Sequence, residues 1–168
     1  MLAAISRLID RIEGFAMVVL ILTATIVAVV QVAARYVFNN SLYWSEELIL
    51  YALISMSFLA ASMGVRHSAH ISVEAVFAFV GPRTARVLKL VSAVLGMVFA
   101  GALAYYGWVL FSNTNDMGQL SPAMQIPVAY IYLTIPISAV LMFVRYLEQA
   151  VRLVQGQQQE TISLVSAT

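Results

Sequence analysis

Four long runs of the chain, 14–34, 48–65, 90–115 and 117–144, contain no Asp, Glu, Lys or Arg. A helix that crosses a bilayer needs about 20 mostly apolar residues. The runs therefore predict an all-α integral membrane protein with four transmembrane helices, at about 14–37, 45–66, 85–111 and 127–146. Between and before them the pattern changes. Ile5, Leu8, Ile9 and Ile12 fall on one helical face, and Arg7, Asp10, Arg11 and Glu13 on the other, as in an interfacial helix over 2–13. Val73, Val76, Phe77 and Val80 make a second such stripe, which predicts an interfacial helix over 70–81, closed by Gly81-Pro82. Residues 155–168 are rich in Gln, Ser and Thr and are expected to form a disordered tail. The whole of 1–154 then reads as one membrane domain.

Local features refine the spans. Ala52, Ser55, Ser57, Ala60, Ala61, Ser62 and Gly64 make the second span rich in small residues, which let membrane helices approach closely. It is expected to be the most protein-buried helix. Gln31, deep in the first span, is expected to bond to another helix. Residues 113–125 read as a polar turn. Pro127 suits the first turn of the fourth span, where its missing N–H costs nothing. Pro136 interrupts that span, leaves the Tyr132 carbonyl without its donor and should kink the helix. Glu148 and Arg152 form a favourable pair one turn apart.

Composition excludes several classes. Of 168 residues, 62% are hydrophobic and 10% charged, against about 25% charged in a soluble domain. The absence of cysteine rules out disulfides, cysteine-held iron–sulfur clusters and thiol catalysis. A net charge of +1 leaves no electrostatic footprint for nucleic acid. The N-terminal apolar run is too long for a cleavable signal peptide. Orientation follows from Lys and Arg. Arg7 and Arg11 lie before the first span, Arg66, Arg83, Arg86 and Lys89 between the second and third, and Arg145 and Arg152 at the end. The other two connections carry Arg35 alone. Both termini are therefore expected on the cytoplasmic side.

Candidate chemistry is sparse. His67 and His70 lie in one connection with no histidine on a facing segment, so one copy cannot supply bis-histidine haem ligation. No ionisable residue lies mid-span, where an ion or proton path would need one. Neither a phosphate loop nor a nucleophile–base pair is visible. No catalytic, cofactor or metal site is expected, and the chain reads as a subunit supporting chemistry in a partner rather than as an enzyme. The membrane anchor or cytochrome-like subunit of an oxidoreductase, and a stand-alone small channel, remain as alternatives.

The bridge between the first two spans is the most distinctive stretch. Arg35 closes one span, Glu46 and Glu47 open the next, and Tyr36, Phe38, Tyr43 and Trp44 lie between. These charges complement the helix dipoles, so the bridge is at least a capped hairpin. Successive helical residues point about 100° apart, so both carboxylates cannot face Arg35 equally. One is expected to hold the hairpin through Arg35 and the other to contact a partner. Arg35, Tyr43, Trp44, Glu46 and Glu47 are the docking candidates.

At this level the chain resembles the small membrane subunit (Q subunit, DctQ-like) of tripartite ATP-independent periplasmic (TRAP) transporters. The resemblance rests on Arg35-Tyr36, Phe38-Asn39, Ser41-Leu42, Trp44 and Glu46-Glu47, then Arg66 with His70-Ile71 and Val73. Ser121-Pro122, Ile126-Pro127 and Ile135-Pro136-Ile137 complete it. Ala60, where many relatives carry glycine, and Val128-Ala129, where tryptophan is common, depart from the pattern. The resemblance implies a multi-pass protein of the bacterial inner membrane serving sodium-driven import of organic acids. It implies two partners, a large membrane subunit (M subunit, separate or fused) and a periplasmic substrate-binding protein. The small subunit would scaffold the first and help to dock the second. Arg66, His70, Pro127 and Pro136 would then be structural.

Overall fold

A computed structural model describes the backbone over residues 2–77 and 82–154, and side chains over 8–65, 84 and 87–153. The expected tail 155–168 and residues 78–81 of the expected second interfacial helix lie outside the described residues. The elements are α1 (Leu2–Tyr36), α2 (Ser45–Phe77), α3 (Pro82–Asp116), α4 (Ala129–Tyr132) and α5 (Thr134–Val154). Among the described residues four stretches are long and apolar enough to cross a membrane: Leu8–Tyr36, Ser45–Val65, Val87–Asp116 and Ala129–Leu153. The all-α, four-span fold expected from the charge-free runs is the one observed.

Several boundaries differ from expectation. Neither interfacial segment is a separate helix. Residues 2–13 continue without a break into the first span as α1, and the second span continues as α2 to Phe77. No proline interrupts either junction, and the isolated Gly14 and Gly64 are tolerated inside a helix. At 35 residues, α1 extends to about 52 Å, well beyond a hydrocarbon core of about 30 Å.

The expected polar turn at 113–125 begins late, because α3 runs on to Asp116. What ends α3 is Gly118, in the left-handed region at φ +60°. Its N–H bonds to the Asn115 carbonyl at 3.0 Å, and the Gln119 N–H to the Thr114 carbonyl at 3.4 Å. That double bond pattern is the Schellman ending, for which glycine is favoured. α1 ends in a related way. Asn39 adopts φ +48°, a region asparagine tolerates, and the Asn40 N–H reaches the Ala34 carbonyl at 3.0 Å.

Pro127 does not open a helix. It pairs with Leu120 in an isolated antiparallel bridge, and its carbonyl accepts the Tyr130 N–H at 3.3 Å. With no N–H of its own to place, it serves as the acceptor that starts the next turn. Further on, the helix breaks at Leu133 between α4 and α5, where Pro136 denies the Tyr132 carbonyl its donor.

The spans pack in the order α1, α2, α5, α3: α1 lies on α2, α2 on α5 and α5 on α3. Contact between α2 and α3 is slight, so the spans form an open row rather than a closed bundle. The fourth span is the most buried. In its most apolar window 22% of residues are covered, against 17% for the second span and 11% for the first and third. The expectation that the second span is most buried is therefore corrected. Its Ser57, Ala60 and Ala61 face outward, and the Ser57 hydroxyl folds back to the Leu53 carbonyl at 2.7 Å. Its Ala52, Ser55 and Ser62 are covered, and small residues are covered on α3 as well, where Ala93, Ala100 and Gly107 recur on one face and admit α5. A Cβ on Gly107 would come within 3.2 Å of the Pro136 backbone nitrogen. That close approach explains why a glycine is needed there.

Candidate functional site

Both α1–α2 and α3–α4 turn at the same end of the row, the loop end. Glu47 stands in the first turn of α2 there. Its Oε2 accepts the backbone N–H of Ala123 at 2.9 Å and of Met124 at 3.0 Å. Its Oε1 accepts the hydroxyl of Tyr51, one turn along α2, at 2.5 Å. A carboxylate accepting several donors makes charge-assisted hydrogen bonds, stronger than neutral ones. Glu47 thus fastens the α3–α4 connection to α2.

That connection has a defined shape of its own. Ser121 is fully buried; its N–H bonds to the Ile126 carbonyl at 2.8 Å and its hydroxyl accepts the Met124 N–H at 3.2 Å. Gln125 sits at φ +55°, an uncommon conformation for a residue with a side chain. Its amide Nε2 compensates by donating to the carbonyls of Ser121 at 3.2 Å and Pro122 at 3.0 Å.

The α1–α2 connection is held by different groups from those expected. Gln31 bonds to a loop and not to a helix: its Nε2 donates to the Ser41 hydroxyl, and its Oε1 accepts the Leu42 N–H, both at 3.0 Å. The Ser45 hydroxyl donates to the Leu42 carbonyl at 2.6 Å. Among the described residues Arg35 forms no ion pair with Glu46 or Glu47; the hairpin is pinned by neutral groups. Of the docking candidates, Arg35, Tyr43 and Glu46 are exposed and Trp44 half-buried, while Glu47 is turned inward to the loop. The side chains of Arg66 and His70 lie outside the described ones.

A second cluster, at the opposite end, is absent from the sequence reading. Arg145 on α5 donates to the Ser62 hydroxyl of α2 at 3.0 Å and to Asp10 of α1 at 3.0 Å, and pairs with Glu13 of α1. The Ser62 hydroxyl in turn donates to the Glu13 carboxylate at 2.9 Å. The side chain of Arg145 is 10% exposed and that of Glu13 4%. Three helices meet in this one buried ionic network. Its signal was available: Asp10 and Glu13 are spaced to share a helix face, and Arg145 is the first charge after a long neutral run. No group of three or more His, Cys, Asp or Glu that could hold a metal occurs among the described residues.

Comparison with known proteins gives this architecture a family. The family described as "Tripartite ATP-independent periplasmic transporters, DctQ component" matches residues 24–156. The chain belongs to this family. It is a small permease subunit of the TRAP type, a transporter component rather than an enzyme by kinship. The ectoine TRAP transporter small permease protein TeaB of Halomonas elongata is 24% identical over 151 residues, covering 90% of this chain and 78% of that protein. The C4-dicarboxylate TRAP transporter small permease protein DctQ of Rhodobacter capsulatus is 25% identical, covering 86% and 77%. The isethionate TRAP transporter permease protein DctMQ of Oleidesulfovibrio alaskensis is 28% identical over 105 residues, only 16% of its length. The TRAP family match contains Glu47, Tyr51, Ser121, Ser62 and Arg145, whereas Asp10 and Glu13 precede it.

Proposed function

We propose that this chain is the accessory subunit of a sodium-driven importer of small organic acids in a bacterial inner membrane, with both termini cytoplasmic. It scaffolds a large membrane subunit and presents its loop end to a periplasmic substrate-binding protein. The observation that carries the reading is the open row. No span has more than 22% of its apolar window covered by the rest of the chain, and the charged groups described lie toward the helix ends. A carrier with its own solute site would place polar or ionisable groups near the membrane midplane. Here Arg145, Glu13 and Asp10 are consumed by one another, and Glu47 by a loop. The three relatives are named for ectoine, C4-dicarboxylate and isethionate, which supports a small, polar organic solute. The matching of this chain to one stretch of a longer permease supports a large membrane partner. The Lys and Arg asymmetry supports the orientation. Omission tests the proposal: the large subunit and binding protein reconstituted without this chain should not accumulate solute.

A further inference from the structure

The α3–α4 connection is held far more firmly than a connector requires. Backbone N–H groups, a buried serine, a glutamine amide and the Leu120–Pro127 bridge all act on it, and the anchor is a carboxylate on another helix. The two loop-end connections nevertheless leave large apolar side chains uncovered. Val37 and Phe38 are 71% and 74% exposed on one, and Met117 and Leu120 70% and 54% on the other. Exposed apolar groups on both connections suit contact with a folded protein surface. Ordering a loop before it binds removes an entropic cost from association.

We propose that Glu47 is a positioning residue that sets the shape of Pro122–Gln125 for the periplasmic binding protein, making the two connections one rigid docking surface. The inference rests on the docking role proposed above. Glu47 does not touch the partner; it acts through the Ala123 and Met124 N–H groups. Tyr51 holds the carboxylate in the rotamer that reaches them. Arg35 and Glu46, exposed on the helix ends that flank the neighbouring connection, are the charges left to meet the partner directly.

The test uses the complete transporter in proteoliposomes with purified binding protein. Glu47→Ala should raise the half-saturating concentration of binding protein about tenfold, the cost of ordering a loosened loop at the moment of binding. Uptake at saturating binding protein should stay at the parent rate. Glu47→Gln, which keeps an acceptor oxygen, should fall between. In parallel, spin labels on Asn40→Cys and Ile126→Cys, introduced into a chain without cysteine, report the spacing of the connections. The spacing should be narrow in the parent and broad in Glu47→Ala. If it stays narrow, the latch is refuted and the docking reading is untouched. If it broadens while half-saturation is unchanged, this loop does not receive the binding protein, and the docking reading fails. A lower maximal rate at unchanged half-saturation also overturns the proposal. Should Glu47→Ala fail to accumulate, Glu47→Gln and Tyr51→Phe carry the same comparison.

Discussion

Replacing Arg145 by methionine should destabilise the subunit severely, and the reason lies in what it leaves behind. Arg145 is the cation between Asp10 and Glu13, whose side chains are 18% and 4% exposed. Methionine fills most of the volume but leaves Glu13 buried without a counter-charge and Ser62 without its donor from Arg145. Breaking a buried ion pair from one side costs about 3–5 kcal/mol, out of a total stability of about 5–15 kcal/mol. For a chain of this length that corresponds to a fall in Tm of about 6–20 °C. The assay is thermal unfolding of the detergent-purified subunit, with membrane abundance as a second readout. The triple variant Asp10→Asn, Glu13→Gln, Arg145→Met should recover most of the loss, because the carboxylates that Arg145→Met leaves facing each other are neutral in it. A neutral replacement of a whole buried network is often tolerated. The reasoning is refuted if Arg145→Met melts like the parent. It is also refuted if the triple variant is no more stable than the single one.

Further outcomes follow from the topology and the packing. In intact cells, single cysteines at Asn40 and Asn115 should react with an impermeant thiol reagent, while cysteines at Ser68 and Gln157 should not; labelling of the latter pair would invert the orientation. Gly107→Ala should cost about 1–3 kcal/mol of stability by overpacking, since its Cβ would lie 2.9 Å from Ile135 Cγ2 and 3.2 Å from the Pro136 nitrogen. Gly101→Ala, whose nearest contacts are 3.9 Å away, is the control and should melt like the parent.

Particular residues show which parts of the molecule are legible in its sequence. The spans are, because uncharged runs of bilayer length leave few alternatives. Helix ends are less so. The polar residues Asn113, Thr114 and Asn115 suggest a turn, yet the helix stops only where Gly118 supplies a left-handed residue. Amphipathic stripes before and after a span do not reveal whether the backbone breaks between them, and in α1 and α2 it does not. Small residues mark the possibility of close packing without saying which of them use it: on α2 Ala52, Ser55 and Ser62 are covered while Ser57, Ala60 and Ala61 face outward, and on α3 Ala93, Ala100 and Gly107 admit α5. Helical spacing did separate Glu46 from Glu47, one exposed and one turned inward. The partner of Glu47 was out of reach, because a carboxylate bound to backbone N–H groups more than seventy residues away leaves no side-chain signature. Asp10 and Glu13 look like a solvated face until Arg145 folds onto them.

The most direct measurement of the central claim is sodium-gradient-driven solute uptake in proteoliposomes assembled with each component omitted in turn. The candidate solutes are small organic acids and zwitterions of the kinds for which the relatives are named. Uptake should require this chain, the large membrane subunit and the binding protein together, and liposomes holding this chain alone should stay empty. Accumulation of solute by the lone chain, or full activity of the large subunit without it, would contradict the account of an accessory subunit.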